Sequence, residues 1–489
     1  MRELFNFGHR IAFFGLVSAL CTTRTTAQDY VTPDQFAFTV EADVPYGIAP
    51  NYLGVPDTLL LDIYKPIGNP DDQRPLLVCA HGGSWLGGCK DDPAGIVPLI
   101  LQFVKRGYVV ASINYRLGWH KDDYVNDPVA GYQPSLWPET YRAFYAADTL
   151  EVERAIYRGM QDMKGAIRFM KGRAEQDSVC AEKVFVAGES AGAFVALATA
   201  FLDRAEEKPT SCGALPDAPM PWFKCANLTG LNCEVRNWEV DSAMLARPDL
   251  GDPQGQLNLN GTDASVKGVA GFYGGVPLDA FALDWWQGAD TPSVYLFHQS
   301  CDGVVLNGIG RPYTTMSAYC NLGSTAWHYN LPIMAGSGSI VQAFAGMNTP
   351  PSLLWDPVPC DAFNPDLALF ECARYADNGS YHSTVNLPLR AANLSGWWAP
   401  VASAQGQCIS TATMDLALAT PRVYPIPAST HLFVPDWSGA PVQVYGTDGR
   451  CWPTTTLDAH GLDVIRLPNG PYILRNTATG ASLSFNVVH

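Results

Sequence analysis

A chain of 489 residues exceeds one ordinary core, so a large domain with a smaller companion is the expected layout. Hydrophobic residues make up 47% and charged ones 16%, which excludes a disordered or low-complexity protein. A formal net charge of −16 argues against nucleic acid and anionic membrane as partners.

The first residues carry an address. Arg2 and Arg10 precede an apolar run from Ile11 to Leu20, and Thr25-Thr26-Ala27 offers a small-residue cleavage site, so residues 1–27 read as a secretory signal peptide. Leu20 before Cys21 lacks the small residue of a lipoprotein box, and no later run is apolar enough to span a bilayer. The expected location is secreted or cell-surface. Thirteen cysteines, one of them Cys21, leave an even number in an exported chain, which predicts several disulfides. Cys360 with Cys372, or Cys225 with Cys233, could bridge locally, while Cys79 inside Leu76 to Ala80 reads as a buried free thiol. No Cys-x-x-Cys or His-x-x-x-His spacing suggests a metal site, and none is expected.

Phe36 to Val40 and Leu59 to Tyr64 read as short strands, and the apolar run Leu76 to Ala80 as a strand covered on both faces. That run ends at His81-Gly82-Gly83-Ser84-Trp85. Paired glycines after a buried strand let backbone N–H groups approach a ligand, as half of an oxyanion hole requires; a plain tight turn is the alternative. Tyr108 to Tyr115 is the next strand. Gly118 to Tyr145 is loop-like and aromatic, suited equally to walling a pocket or to forming a satellite core. From Arg154 to Arg173, Ile156, Met160, Met163, Ile167 and Met170 recur at helical spacing.

Val184 to Val186 then runs into Gly188-Glu189-Ser190-Ala191-Gly192 and on into the apolar Ala193 to Ala198. This reads as strand, sharp turn and helix. A nucleophilic serine needs such a turn, with small neighbours, to hold its hydroxyl clear of the strand end. About sixty residues, 203–263, follow as a loop-rich insertion expected to cap the site. Val266 to Phe272 and Val294 to His298 are further strands, so strands alternate with helices and predict an α/β domain with a mainly parallel sheet.

Ser190 needs a base, and after a nucleophile elbow the chain order is serine, acid, histidine. Asp302, in the loop after Val294 to His298, is the expected acid. Of nine histidines, His328 and His382 fit the order. His382, in the polar turn Asp377 to Ser383, is favoured over His328 between Trp327 and Tyr329, with His298 a third choice.

Taken together, His81-Gly82-Gly83-Ser84-Trp85 and Gly188-Glu189-Ser190-Ala191-Gly192 resemble the motifs of α/β-hydrolase-fold carboxylesterases, and the resemblance runs from about Leu59 to Leu389. Asp62-Ile63-Tyr64, Ser112-Ile113-Asn114-Tyr115-Arg116 and Gln161-Asp162 support it. It implies a mainly parallel sheet flanked by helices, with Ser190, Asp302 and His382 catalytic and the amides of Gly82, Gly83 and Ala191 as oxyanion donors. Ser84, Trp85 and Glu189 are substrate-binding candidates. It also implies a helix beginning at Gly336 to Ile340, and leaves 348–378 as an apparent insertion. Ester hydrolysis through an acyl-enzyme needs no cofactor.

From about Thr420 the texture changes to short β-type runs: His431 to Val434, Val442 to Tyr445, Val464 to Leu467, Tyr472 to Arg475 and Leu483 to Val488. They suggest a small β-sandwich. Val423-Tyr424-Pro425-Ile426-Pro427 and Leu467-Pro468-Asn469-Gly470-Pro471-Tyr472 resemble the C-terminal sorting domain of type IX secretion, which implies a partner in the export machinery; a polymer-binding module is the alternative. The expected organisation is a signal peptide at 1–27, a catalytic domain at 28–405, a linker at 406–420 and a sorting domain at 421–489. The whole reads as a secreted, monomeric serine esterase acting on small or polymeric esters, such as polyesters or plant-wall acyl esters. Its rivals are a serine peptidase of the same fold and a non-catalytic surface adhesin.

Overall fold

The computed structural model describes residues 28–85, 87–118, 120–121, 144–145, 149–219, 223–224, 239–240, 244–259, 261–287, 291–320, 331–404, 408, 429–432, 434, 437–446, 450–457, 461–478 and 482–489. The leader, His328, Cys225, Cys233, nearly all of the aromatic segment and much of the expected cap and linker lie outside the described residues. The chain forms two compact units, Met1–Cys408 and Ile409–His489.

Eight strands build the sheet of the first unit: β1 (Ala37–Pro50), β2 (Pro56–Ile67), β3 (Arg74–Ala80), β4 (Val109–Ile113), β5 (Val179–Glu189), β6 (Gly268–Phe272), β7 (Ser293–Gln299) and β8 (Leu353–Val358). Their order is β1-β2-β4-β3-β5-β6-β7-β8. Only the pairs β1/β2 and β2/β4 are antiparallel; β4/β3 and every pair from β3 to β8 run parallel. This is the α/β-hydrolase fold.

The helices that cover the sheet are α1 (Val97–Val104), α2 (Leu150–Gly172), α3 (Ala191–Phe201), α4 (Ser337–Ala345) and α6 (Leu387–Ala402), while α5 (Ala368–Asp377) packs its Tyr375 into a small separate cluster with Cys301 and Phe363. Successive residues of a strand point to opposite faces, so a strand covered twice must be apolar throughout. In β3, Leu76, Val78 and Ala80 join one core with Ile156 and Met160 of α2 and Phe194 of α3. Leu77 and Cys79 join the other, with Ile100 and Phe103 of α1 and Trp398 of α6. Cys79 is a buried free thiol whose burial pushes its pKa well up. Arg116 and Asp162, two of the motif residues, form a buried ion pair at 2.8 Å that pins α2 beside β4.

Three expectations change. β1 and β2 are 14 and 12 residues long rather than short, because they pair with each other along almost their full length. The stretch 348–378, read as an insertion, supplies the edge strand β8 and helix α5. An edge strand is covered on fewer sides and tolerates Pro357 and the charged Asp356, so it lacks the apolar signature of its neighbours. Cys360 does not pair with Cys372: Cys360 bonds to Cys301 and Cys372 to Cys320, and Cys180 bonds to Cys408.

Pairing is therefore long-range and concentrated where it positions loops. Cys301 precedes Asp302, and its bond to Cys360 ties the loop after β7 to the loop after β8. Closing a loop of that span is worth roughly 4 kcal/mol in the chain-entropy account. Replacing Cys301 and Cys360 together by serine is expected to lower the unfolding free energy by about 2–4 kcal/mol, measured by urea titration; an unchanged midpoint would remove this staple from the account.

In the second unit, Pro441–Gly446 pairs antiparallel with Thr455–Thr456 and with Gly470–Asn476, which in turn pairs with Ser482–Val487. A short ladder joins His431–Leu432 to Leu462–Asp463. Val464 to Leu467, expected as a strand, instead closes a turn in which Leu467 N–H donates to Val464 O at 2.9 Å. Leu432, Val442, Val464, Leu474 and Val487 share one small core.

Candidate active site

The C-terminal ends of parallel strands are where an α/β sheet gathers its functional groups. Here β3 ends at Ala80, β5 at Glu189, β6 at Phe272 and β7 at Gln299, and every side chain of the candidate triad lies just beyond one of these ends or in the loop before α6.

Ser190 sits between β5 and α3 with φ 50° and ψ −122°, a strained conformation for a residue bearing a side chain. Its N–H donates to Phe272 O at 2.9 Å, which anchors the turn on β6. The two flanking glycines are dictated by contact. A Cβ on Gly188 would lie 2.0 Å from Gly192 O, and a Cβ on Gly192 would lie 2.2 Å from Ala80 O. Backbone cannot yield to such overlaps, so the turn closes only with glycine at both places.

His382 Nε2 lies 2.7 Å from Ser190 Oγ, and His382 Nδ1 lies 2.8 Å from Asp302 Oδ2. Asp302 Oδ1 accepts the N–H groups of Val304 and Val305 at 2.8 and 3.0 Å. Burial alone would raise the Asp302 pKa, but the imidazoles of His382 and His298 outweigh it and hold the carboxyl below its ordinary range. The histidine loop is fixed from both sides. Gln299 Nε2 donates to the carbonyls of Tyr381 and Ser383 at 2.9 and 3.0 Å, and Gly303 N–H donates to Ser380 O at 2.9 Å. The structure thus brings Ser190, Asp302 and His382 together. It places His298 elsewhere, fully buried behind Asp302.

The His81 to Trp85 loop lies against the elbow. Ser84 and Trp85 take φ values of 54° and 57°, the left-handed region that a glycine would enter freely. The Ser84 hydroxyl is held by the Tyr313 hydroxyl at 2.8 Å, and the Trp85 ring packs edge-on against Phe194 at 5.4 Å. Gly82 lies against the elbow, where a Cβ on it would be 3.2 Å from Ser190 Cβ and 3.4 Å from Glu189 O, and Gly82 and Gly83 both line the cavity that Ser190 opens into.

No curated protein matches the chain. A match to the BD-FAE family spans residues 61–127, from β2 past the His81-Gly82-Gly83 loop. Among solved structures, a thermophilic esterase of the planctomycete Thermogutta terrifontis is 16% identical, with 70% of this chain and 90% of that one covered at a TM-score of 0.31. A truncated carbohydrate esterase from gut microbiota is 14% identical over 76% and 98% at 0.36. Esterase B of Lactobacillus rhamnosis is 13% identical over 74% and 87%, also at 0.36.

Two spaces of different size and character meet at Ser190. A cavity of about 580 Å³ is lined by His382, Glu189, Asp92, Tyr273 and Thr384, with Leu99 and Leu387 among its apolar walls. On the other side, next to Ala191, lies an apolar nook of about 20 Å³ between Trp85, Val304, Val305, Tyr313 and Leu331. Tyr273, at φ 40°, donates its hydroxyl to Glu189 Oε2 at 2.8 Å and sets its ring edge-on to His382 at 4.7 Å. Burial pushes the Glu189 pKa up, against the hydrogen bonds from Tyr273 and Gly82.

Sequence reading singled out neither Tyr273, Asp92 nor Tyr313. Tyr273 carried a signal, an aromatic residue in Gly271 to Gly275 at the end of the strand next to the nucleophile strand. Among the described residues, no helix is long and apolar enough to cross a membrane.

Proposed function

We propose that the chain is a secreted serine hydrolase that cleaves carboxylic esters through an acyl-enzyme. The observation that carries this is the continuous chain from Asp302 Oδ2 through His382 to Ser190 Oγ, with links of 2.8 and 2.7 Å, on a strained strand-to-helix turn. His382 takes the Ser190 proton as the hydroxyl attacks the ester carbonyl, and Asp302 fixes the imidazole tautomer and stabilises its cation. The amide of Ala191, with that of Gly82 or Gly83 in the loop beside Ser190, supplies the oxyanion donors. His382 then returns the proton to the leaving alcohol, and water releases the acid by the same route.

Because His382 must reach the leaving oxygen, the alcohol part of the substrate belongs on its side, in the large cavity that it lines. The acyl group is left with the apolar nook beside Ala191, whose 20 Å³ is about the room needed by one water molecule or a methyl group. Any bulk, including a polymer, therefore belongs to the alcohol. Polarity supplied by Asp92, Glu189 and Tyr273 suits a hydroxyl-bearing alcohol better than an aromatic polyester.

The test is hydrolysis of p-nitrophenyl esters of increasing acyl length. Acetate is expected to exceed octanoate in kcat/KM by about 100-fold or more, since a chain that cannot enter a packed wall loses several kcal/mol. A first-turnover burst of p-nitrophenol close to one equivalent is expected as the acyl-enzyme forms. A preference for octanoate would overturn the pocket assignment, and no turnover would leave a peptidase or an adhesin. Export by the type IX route and a sorting role for residues 421–489 complete the proposal, on the tail motifs alone.

A further inference from the structure

We propose that His298 is a positioning residue for the triad, a second imidazole that bonds the turn carrying Asp302 and lies against the same Asp302 oxygen that His382 uses. The inference rests on the reading above that Ser190, His382 and Asp302 form the triad. His298 lies near the end of β7, is 0% exposed, and sets its Nε2 3.3 Å from Asp302 Oδ2 and 2.9 Å from Val305 O. Its Nδ1 lies 2.9 Å from Ser337 Oγ, the first residue of α4, and that hydroxyl lies 3.2 Å from Gly274 O in the turn after β6.

The proton count follows from the partners. Both neighbours of Nε2 are acceptors, so Nε2 carries a hydrogen. Ser337 has one hydrogen to give. If it goes to His298 Nδ1 the ring is neutral; if it goes to Gly274 O, Nδ1 must donate to Ser337 and the ring is a cation. In both arrangements Nε2–H donates to Val305 O, with Asp302 Oδ2 beside it at 3.3 Å. The carboxylate then takes Val304 and Val305 N–H on Oδ1 and His382 on Oδ2, while His298 bonds the Val305 carbonyl of the same turn and packs against Oδ2.

A carboxylate bonded on both oxygens cannot rotate between proton transfers, so the His382 ring it holds stays aimed at Ser190. Buried outer partners of this kind set the orientation of the group that does the chemistry. A histidine ring is also the side chain whose two nitrogens can bridge the Asp302 turn, at Val305 O, to Ser337 from this position in β7.

The test uses the full chain and p-nitrophenyl acetate, with His298→Gln, His298→Asn and Ser337→Ala. Glutamine reaches as far as Nε2 and keeps the donor to the Asp302 turn at Val305 O, whereas asparagine reaches only as far as Nδ1. His298→Asn is expected to lower kcat about tenfold with KM unchanged, far short of the roughly 10⁴-fold cost of changing the triad acid itself. His298→Gln and Ser337→Ala are expected to stay within about twofold of wild-type kcat, Ser337→Ala paying only in thermal midpoint.

Wild-type kcat in a folded His298→Asn overturns the proposal. So does a tenfold loss in His298→Gln or Ser337→Ala, whatever the asparagine variant does, because packing alone would then explain the effect. Turnover by the wild type with an unaffected His298→Asn sinks this inference and spares the triad. Absence of turnover in the wild type sinks the triad reading beneath it.

Discussion

Replacing Ser190 by alanine is expected to lower kcat for ester hydrolysis by roughly 10⁶-fold, to a residue of catalysis from binding and the oxyanion donors alone. The substitution removes one oxygen. It keeps the Cβ and therefore the backbone geometry of the elbow, whose N–H to Phe272 O and flanking glycine contacts do not involve the hydroxyl. His382 Nε2 loses its partner at 2.7 Å but keeps the hydrogen bond of Nδ1 to Asp302. Thermal unfolding is accordingly expected to stay close to wild type, which separates loss of chemistry from loss of fold. Retention of more than a few per cent of wild-type turnover would mean that another group attacks the ester.

The second large effect is expected at Asp302. Asparagine has the same shape, but the carboxylate receives donors on both oxygens, from Val304 and Val305 N–H on one and His382 on the other. A carboxamide must therefore turn an NH₂ group toward one set of donors. Turned toward His382, it forces the imidazole into the tautomer with hydrogen on Nε2, which cannot accept the serine proton, and kcat falls by about 10⁴-fold. Turned the other way, it breaks the loop that carries it.

The same residue links to stability. The Asp302 pKa is depressed in the folded chain, so its contribution is fully present above the ordinary value of 3.8 and is lost as the pH falls through the lowered one. Urea midpoints between pH 7 and pH 3 are expected to show Asp302→Asn less stable near neutrality, with the gap narrowing at the acid end. A gap that widens on acidification would contradict the ionised, imidazole-held carboxylate.

What was legible in the sequence is the part dictated locally. A nucleophile elbow needs small residues at fixed offsets between a buried strand and a helix, and Gly188 to Gly192 displays them in five positions. Chain order narrowed the proposed acid and base to few loops and left His328 beside His382, and the polar turn Asp377 to Ser383 favoured His382. Features made by distant pairing were not legible. Tyr273 reaches Glu189 across 84 positions, and Cys301 finds Cys360 rather than any near neighbour. β8 escaped because an edge strand bears polar residues that its central neighbours exclude.

His298 shows how far elimination can go. A histidine four residues before the acid is indistinguishable, in sequence, from a candidate base. Only the folded chain places its ring on the acid instead of on Ser190.

The most direct measurement is active-site labelling of the folded chain with a fluorophosphonate, followed by peptide mapping. The account predicts one equivalent of label on Ser190, abolished in Ser190→Ala and strongly slowed in Asp302→Asn. Label on another residue, or none on a folded wild-type chain, would contradict it.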